Sequence, residues 1–322
     1  MNILITGNNG FIGRYLVKEL ISKGDSIVGV DLYQDSQSGS ITKFIKGDIC
    51  EKSLMREAIK GVDLIIHLAA KHHDFGVSRE EFFRVNEEGT KNILDIAEEE
   101  GIKKIIFYST VAVYGKEEAD ESTIPSPISD YGKSKLAAEK LIQEWVQKDS
   151  SRMAIIIRPT LVFGINNFGN IYNLIDKIIS KRFFWVGEGS NIKSLAYIEN
   201  LVAMTLFLTE RMKPGLEIFN YSDEPHLTTR QIAETIAKYG NTSIPKLKIP
   251  YIIARVGGKI LDIAGEITVI DFPITGARVK KFLTKTYFKA EKIRKLGFKQ
   301  PVSLNTGFRK TIQWYLQQKN IG

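Results

Sequence analysis

The chain opens with Asn2-Ile-Leu-Ile-Thr-Gly-Asn-Asn-Gly-Phe-Ile-Gly13, in which a short apolar run leads into a turn with three glycines. The apolar run predicts a buried strand, and the residues after Gly10 predict the start of a helix. In such a unit Gly7 allows the tight turn, Gly10 lets backbone approach a pyrophosphate, and Gly13 lets helix pack on strand. The helix N-terminus also attracts phosphate. This opening therefore predicts a dinucleotide site.

An acidic residue, Asp31, ends the second apolar run, 18 residues after Gly13. A carboxylate there accepts hydrogen bonds from the ribose hydroxyls of NAD and repels the 2′-phosphate of NADP. No Lys or Arg follows before Lys43, so we expect NAD as the cofactor. Asp48 ends a further strand, where it either meets the adenine or caps the next helix.

Strand and helix patterns alternate through the first 160 residues. Alternation of this kind predicts an α/β fold of the Rossmann type, a doubly wound parallel sheet with helices on both faces. We expect an NAD-binding domain over residues 1–164, to which segments near 192–210 return. Residues 165–322 are expected to form mainly a smaller C-terminal α/β substrate lobe, over the sheet edge where ligands bind. The predicted strands are residues 2–6, 26–30, 43–46, 64–68, 104–109 and 154–157, and the predicted helices are residues 11–23, 53–59, 79–100, 170–180, 198–209 and 229–239.

Tyr131 and Lys135 lie four residues apart, so a helix places them on one face. A free tyrosine ionises near pH 10, and a neighbouring ammonium makes its phenolate a usable base. Such pairs also occur by chance, but Thr110 stands at the end of another predicted strand, where its hydroxyl can share a substrate proton. Alternatively, Thr110 is only a residue that favours strands.

These motifs together resemble the extended short-chain dehydrogenase/reductase family over essentially the whole chain. The resemblance rests on the opening glycine turn, His67-Leu-Ala-Ala70, Val85-Asn-Glu-Glu-Gly-Thr-Lys-Asn92, Thr110-Val-Ala-Val-Tyr-Gly115, the Tyr131/Lys135 pair and Arg158-Pro159. It implies that Thr110, Tyr131 and Lys135 are catalytic. It also implies that the cofactor is bound by Gly7, Asn9, Gly10, Phe11, Ile12, Gly13, Asp31, Asp48, Ile49, Leu68, Ala69, Ala70, Asn86, Ser109, Tyr131, Lys135 and Pro159.

Departures from common family patterns narrow the activity. Dehydratases of the family carry an acidic pair after the threonine, where this chain has Val111 and Ala112. Sugar-nucleotide 4-epimerases usually have Asn and Arg where this chain has Leu161 and Lys193. The chain is more similar to bacterial enzymes that epimerise N-acetylglucosamine at C4 on undecaprenyl diphosphate. The matching stretches are residues 69–74, 158–164, 169–174, 193–197 and 276–282.

This resemblance implies an NAD-dependent C4 epimerase of a diphosphate-linked hexosamine in surface-polysaccharide biosynthesis, acting through a 4-keto sugar. The sugar diphosphate would be carried by a polyprenyl lipid or by a nucleotide. The alternatives are a 4-keto-sugar reductase and a cofactor-binding protein without catalysis. We expect Asn170, Lys193 and Arg278 to bind the substrate; alternatively Asn170 is a helix cap and the two cations are ordinary surface residues. We expect no metal site, since His72 and His73 lack further ligands at suitable spacing.

The composition bounds where the protein works. Cys50 is the only cysteine, no run of 18 apolar residues occurs in the sequence, and no leader precedes the first strand. Together these features predict a cytoplasmic protein. Residues 246–299 hold 13 Lys and Arg against 4 Asp and Glu, a balance of +9. Such a region suits an anionic lipid surface or a diphosphate, but it is equally typical of a solvated face. Residues 251–270 fit either a membrane interface or a core helix. We expect peripheral contact with the inner face of the cell membrane and a homodimer. We expect no nucleic-acid partner.

Overall fold

The computed structural model describes residues 1–35, 41–72, 76–244, 248–249 and 284–320. The chain divides into two compact units, each assembled from three stretches of sequence. The first unit comprises Met1–Thr160, Ile198–Ser222 and Phe288–Pro301. The second comprises Leu161–Tyr197, Asp223–Tyr287 and Val302–Gly322. Residues 251–270, which fit either a membrane interface or a core helix, and the predicted site residue Arg278 lie outside the described residues.

The strands and helices have the following bounds in the described residues. The strands are β1 (Asn2–Thr6), β2 (Ser26–Asp31), β3 (Lys43–Lys46), β4 (Leu64–His67), β5 (Lys104–Tyr108), β6 (Met153–Pro159), β7 (Leu161–Phe163), β8 (Trp185–Val186), β9 (Ile192–Lys193), β10 (Leu195–Tyr197), β11 (Gly215–Tyr221), β12 (Leu227–Thr228) and β13 (Lys248–Ile249). The helices are α1 (Phe11–Ser22), α2 (Lys52–Ile59), α3 (Arg79–Phe83), α4 (Gly89–Glu99), α5 (Asp130–Gln147), α6 (Asn170–Ile179), α7 (Ile198–Thr209), α8 (Thr229–Tyr239), α9 (Glu291–Lys295) and α10 (Leu304–Gln318).

A seven-stranded sheet forms the first unit, in the order β11-β6-β5-β4-β1-β2-β3. All neighbouring strands are parallel. Residues Ile3–Ile5 of β1 and residues 64–66 of β4 are completely buried, as expected for a parallel sheet covered by helices on both faces. The strand order reverses between β1 and β4, which creates the crevice where ligands bind in open α/β sheets. The predicted fold class is therefore confirmed.

The helix predicted over residues 79–100 is interrupted. It consists of α3, a π-helical turn over Arg84–Glu88 and α4. The Thr90 hydroxyl donates a hydrogen bond of 2.6 Å to the Asn86 carbonyl within this turn. A π-helical turn inserts a residue without ending the helix, and hydrophobic periodicity does not reveal so local a change. The insertion matters because Asn86 lies inside it.

In its described residues, the second unit contains three short strand pairs and a group of helices. The pairs are β7 with β10, β9 with β12, and β8 with β13. Helices α6, α8 and α10 pack on one another. The Phe163 ring stacks on Phe308 with ring centroids 4.7 Å apart and also contacts Tyr197. In the described stretches, no helix combines the length and the apolar character needed to cross a membrane.

Candidate active site

The glycine turn joins β1 to α1 at the crevice of the sheet. Gly7 has a φ of +72°, and a side chain there would meet the Ala69 backbone nitrogen at 2.9 Å. The Gly7 N–H donates to the Val30 carbonyl at 2.7 Å, which fixes the turn on β2. Gly10 holds the cap position of α1, so no side chain caps the first N–H groups of this helix. Phe11, Ile12 and Gly13 follow within the first turn of α1.

Asp31 connects the end of β2 to the same turn. One carboxylate oxygen accepts the Asn9 N–H at 3.0 Å and the other accepts the Tyr33 N–H at 3.3 Å. A carboxylate oxygen has more than one lone pair, so both retain capacity for ribose hydroxyls. Arg14, which sequence reasoning missed, donates to the Asn9 carbonyl at 2.8 Å and forms an ion pair of 2.6 Å with Asp35. This cation is close to the turn in space although it precedes Asp31 in sequence.

Asp48 does not cap α2, because the residue at the cap position is Glu51 and its side chain makes no capping bond. The Asp48 carboxylate instead accepts hydrogen bonds from the Cys50 N–H at 3.0 Å and from the Arg84 guanidinium at 3.0 Å. Burial is the largest influence on the Asp48 pKa and raises it. The hydrogen bonds from Cys50 and Arg84 together outweigh burial and hold the pKa below its usual value. Ile49, beside it, is buried.

His67, at the end of β4, is a buried residue to which sequence reasoning gave no role. Its Nδ1 lies 2.7 Å from the Thr6 hydroxyl, and its Nε2 lies 3.0 Å from the Thr90 hydroxyl. Because the only proton of Thr90 goes to the Asn86 carbonyl, Nε2 is the nitrogen that carries hydrogen. Nδ1 then accepts from Thr6. Burial, and next the charge of Lys135, lower the His67 pKa to about 3, so the ring is neutral.

Asn86 extends this network to the helix that carries the tyrosine. Its side-chain amide donates to the Ser134 hydroxyl at 2.9 Å and to the Lys71 carbonyl at 3.0 Å, and its side-chain oxygen accepts the Lys71 N–H at 2.8 Å. Ser134 in turn donates to the Tyr131 carbonyl at 2.9 Å. The described hydrogen bonds therefore run without a break from Thr6, beside the glycine turn, to Tyr131.

Tyr131 and Lys135 lie one turn apart near the start of α5. The helix begins there because the Ser129 hydroxyl accepts the Gly132 N–H at 3.1 Å. Tyr131 is partly buried, with its ring 6.1 Å from that of Phe82 between centroids. Lys135 is only 1% exposed, and its Nζ lies 4.0 Å from the Phe107 ring centroid. Burial lowers the Lys135 pKa to about 7, although the carboxylate of Glu139 opposes this shift.

Thr110 begins a short 3₁₀ turn over Val111–Tyr114 and caps it by accepting the Ala112 N–H at 3.2 Å. This turn packs on the first turn of α5, where a side chain at Gly132 would come within 2.7 Å of the Ala112 carbonyl. The turn and the helix thus carry the three predicted catalytic side chains on adjoining elements. Val111 and Ala112 are apolar, so this turn offers no acid for elimination chemistry.

The remaining predicted cofactor residues lie at the carboxyl ends of neighbouring strands. Leu68, Ala69 and Ala70 follow β4, Ser109 follows β5, and Pro159 ends β6. The Ser109 hydroxyl is buried and has no hydrogen-bond partner among the described residues. A buried orphan hydroxyl, a glycine turn and a helix start without a side-chain cap, all at the carboxyl edge of one sheet, fit a dinucleotide.

The predicted substrate residues belong to the second unit. Asn170 is exposed and is the first residue of α6, whose cap position is held by Gly169. The Lys193 ammonium donates to the Thr284 carbonyl at 2.5 Å. Arg278 and His73 lie outside the described residues. Within the part of the chain that the structure describes, no group of three potential ligands is placed to hold a metal ion.

Comparison with known proteins agrees with this geometry. Residues 3–221 match the model of the NAD dependent epimerase/dehydratase family. The chain is 37% identical over 316 residues to an N-acetyl-alpha-D-glucosaminyl-diphospho-ditrans,octacis-undecaprenol 4-epimerase of Escherichia coli O157:H7, covering 97% of this chain and 95% of the relative. It is 30% identical to a UDP-glucose 4-epimerase of Vibrio cholerae, covering 99% and 97% of the two chains.

Solved structures show the same fold. MoeE5 in complex with UDP-glucuronic acid and NAD superposes with a TM-score of 0.78 at 21% identity, covering 99% of this chain and all of the other. A UDP-glucose 4-epimerase of Thermus thermophilus in complex with NAD gives a TM-score of 0.75 at 21% identity, covering 98% and 99%. The predictions of NAD as cofactor and of an enzyme of the extended short-chain dehydrogenase/reductase type are confirmed by the family match. The chain belongs to the NAD dependent epimerase/dehydratase family.

Proposed function

We propose that this protein is an NAD-dependent C4 epimerase of a hexosamine of the N-acetylglucosamine/N-acetylgalactosamine type, joined through a diphosphate to an undecaprenyl lipid. The observation that carries the proposal is the pairing of Tyr131 and Lys135 on α5 with the adjoining Thr110 turn. The apolar Val111 and Ala112 in that turn favour epimerisation over dehydration. The lipid-linked substrate is supported by 37% identity over 97% of the chain to an enzyme named for such a substrate.

The proposed chemistry starts at the 4-hydroxyl of the sugar. Tyr131, as the phenolate, takes the hydroxyl proton, and the buried Lys135 ammonium stabilises that phenolate. Thr110 holds the oxygen from which the proton leaves. The bound NAD would supply the hydride chemistry at C4, as acceptor from the 4-hydroxyl carbon and as donor to the other face of the 4-keto sugar. Tyr131 then gives its proton back to the new alkoxide, so the enzyme ends each cycle in its starting protonation state.

The residues of the first unit would hold the cofactor through all of these steps. The α1 N-terminus and the glycine turn bind the pyrophosphate, and Asp31 binds the ribose hydroxyls. The Ser109 hydroxyl, which is buried without a partner among the described residues, is available to a bound ligand. Because an epimerase regenerates its cofactor in every cycle, we expect the protein to retain NAD through purification.

In the second unit, Lys193, Asn170 and Arg278 are proposed to bind the diphosphate. The 2.5 Å bond to the Thr284 carbonyl supports this role for Lys193, because it orients the ammonium. An ammonium in this state loses little freedom when it exchanges a carbonyl for a phosphate oxygen.

Two neighbouring activities remain as alternatives. The 30% identity to a UDP-glucose 4-epimerase over 99% of the chain favours a nucleotide-sugar substrate as the second candidate. A 4-keto-sugar reductase would use the same Thr110, Tyr131 and Lys135, but it would consume reduced cofactor. A protein that only binds cofactor has no need of these three side chains.

The test is to incubate purified protein, without added cofactor, with N-acetylglucosamine linked to UDP or to undecaprenyl diphosphate in detergent. Formation of the galacto product only from the lipid-linked sugar supports the proposal, with Tyr131→Phe as the inactive control. Turnover of the UDP-sugar alone identifies a nucleotide-sugar epimerase. Turnover of a 4-keto sugar only when NADH is added, with loss of the NADH absorbance, identifies a reductase.

A further inference from the structure

Arg158 and Glu139 form a buried ion pair beside the catalytic helix. Arg158, on β6, is 3% exposed, and Glu139, on α5, is 4% exposed. The guanidinium Nε donates to one carboxylate oxygen at 2.9 Å and Nη2 donates to the other at 2.5 Å. The pair is therefore bidentate, and it occupies both oxygens of the carboxylate. Moving two charged groups out of water costs desolvation free energy, which suggests that the pair has a role besides packing.

The position of Glu139 in the helix suggests that role. Tyr131, Lys135 and Glu139 are spaced four residues apart on α5, so they share one face of the helix. The described hydrogen bonds of Glu139 go to Arg158, and its effect on Lys135 is that of a nearby negative charge. The carboxylate favours the ammonium form of Lys135 and opposes the effect of burial.

Arg158 also reaches the turn that carries Thr110. Its Nη1 donates to the Tyr114 hydroxyl at 2.8 Å, and that hydroxyl donates to Asn220 at 2.7 Å. Tyr114 is the last residue of the 3₁₀ turn that Thr110 begins. One guanidinium thus holds both the helix with Tyr131 and Lys135 and the turn with Thr110.

The other titratable groups around Lys135 leave this pair in control of its charge. His67, on β4, is neutral because burial, and next the charge of Lys135, lower its pKa to about 3. The Tyr114 phenol is kept protonated, because burial raises its pKa above the ordinary value. Of the described charged groups, Glu139 favours the ammonium of Lys135, and Arg158, which is bonded to Glu139, weakens that influence. Tyr131 is the group on which the ammonium acts.

We propose that Arg158 and Glu139 are positioning residues that together set the protonation of Lys135, and through it the basicity of Tyr131. The role of Tyr131 as base rests on the function proposed above, whereas the effect on Lys135 does not. Glu139 increases the fraction of the buried lysine that is charged near neutral pH. Arg158 limits this effect, because it binds the carboxylate that would otherwise pair directly with the ammonium.

The proposal requires opposite effects from the two partners. Glu139→Gln keeps the shape of the side chain but leaves two buried cations, so the ammonium of Lys135 is lost at a pH lower by about one unit or more. Arg158→Met frees the carboxylate to pair with Lys135, so the ammonium persists to a higher pH. A pair that served only packing would lower stability in both variants without moving the titration of Lys135.

The primary measurement is ¹³C NMR of lysine Cε against pH in the unliganded protein, with the Lys135 signal assigned by its absence in Lys135→Arg. The alkaline limb of kcat/KM should move in the same directions as the NMR titration. The control is Arg152→Met. Arg152 is equally buried and lies just before β6, at the opposite end from Arg158, and should leave Lys135 unchanged.

Opposite shifts in Glu139→Gln and Arg158→Met support the proposal, and unchanged or parallel shifts overturn it. If Arg158→Met does not fold, the double variant Glu139→Gln/Arg158→Met replaces it, since it removes both charges of the ion pair together. Its Lys135 should then titrate at a higher pH than in Glu139→Gln alone; an equal or lower value counts against a role for Arg158. If the NMR shifts appear but no sugar diphosphate is turned over, the proposed function fails while this inference stands.

Discussion

At the scale of single residues, Tyr131 carries the largest part of the proposed chemistry. Its backbone carbonyl is held by Ser134, and its ring packs near Phe82. Tyr131→Phe removes only the hydroxyl, so fold and NAD content should be unchanged. Loss of a general base typically costs about 10²–10⁴-fold in rate. We expect a loss of this size in single-turnover epimerisation.

The matched control is Tyr239→Phe, which removes a hydroxyl bonded to Asn305 on a helix of the second unit. This control should keep the wild-type rate and melting temperature. If Tyr131→Phe retains more than half of the wild-type rate, another group is the base.

A second prediction concerns Asp31 and the choice of dinucleotide. The wild-type carboxylate should exclude the 2′-phosphate of NADP, and Asp31→Ala should narrow the preference for NAD. Arg14 sharpens the test, because its guanidinium is near the same turn and is balanced by Asp35. Asp35→Asn should favour NADP further by freeing Arg14. Calorimetry on protein stripped of cofactor gives the affinities, and equal wild-type affinity for the two dinucleotides would refute the assignment.

The neutral, buried His67 predicts a loss of stability in acid. Its folded pKa of about 3 lies below the ordinary value of 6.5, so the unfolded chain binds the extra proton between these values. Stability present at neutral pH is therefore lost as the pH falls from about 6.5 toward 3. Between pH 7 and pH 5 this contributes roughly 2 kcal/mol, at about 1.4 kcal/mol per pH unit.

His67→Gln removes this titration but retains a donor and an acceptor for Thr6 and Thr90. Urea unfolding at pH 7, 6 and 5 should show a shallower decline for the variant than for the wild type. Parallel declines of the two proteins would mean that the ring is not held neutral.

At the scale of elements, sequence patterns predicted the strands closely, because buried parallel strands are short, continuous apolar runs. The predicted runs 2–6 and 43–46 coincide with β1 and β3. The pattern did not reveal the π-helical turn around Asn86 or the edge strand β11. Four of the seven residues of β11 are only partly buried, which weakens its hydrophobic signal.

In the candidate site too, some residues could be predicted from the sequence and others could not. The glycine turn and the Tyr131/Lys135 pair could be predicted as candidates from the sequence, because each is a motif of fixed spacing, and for the pair Thr110 added support. The Arg158–Glu139 pair could not, because it joins a strand to a helix across 19 residues. The one available signal was the position of Glu139, four residues after Lys135. His67 belongs to one of the sequence motifs. Its contacts with hydroxyls of β1 and α4 could not be predicted, because they join residues that are distant in the sequence.

The start of α5 gives a prediction at this scale. The Ser129 hydroxyl is the cap that fixes where this helix begins, two residues before Tyr131. Ser129→Ala should cost about 1 kcal/mol of stability. Because fraying reaches Tyr131 first, kcat should fall several-fold while NAD content is kept. The control is Ser303→Ala, which removes the equivalent cap of α10. If the two variants changed kcat equally, the Ser129 cap would have no specific role in catalysis.

At the scale of the whole molecule, the uneven charge predicts where the protein works. Of the balance of +9 in residues 246–299, +6 falls on described residues and +3 on residues outside them, so the prediction for the whole segment rests on its sequence. A sugar diphosphate on a polyprenyl lipid stays at the membrane surface, and each basic residue near an anionic surface contributes about 1 kcal/mol. We expect binding to anionic vesicles at low salt and release at high salt, because charge attraction fades beyond about 8 Å at physiological ionic strength.

Co-sedimentation with anionic and neutral vesicles at low and high salt measures this binding. A protein that stays in the supernatant under every condition, and that converts only a UDP-sugar, would contradict the lipid-linked substrate. Capture by neutral vesicles at high salt would indicate apolar insertion instead of charge.

The division of each unit into three stretches of chain has a consequence for dissection and for synthesis. A fragment ending at Thr160 contains the glycine turn, Thr110, Tyr131 and Lys135, yet it lacks β11. The strand β6 would then become an edge, with a row of unpaired N–H and C=O groups open to another molecule. The same exposure exists on the ribosome until residues 215–221 emerge. No fragment that ends before β11 contains the whole first unit, and we expect such a fragment to associate through the exposed edge of β6.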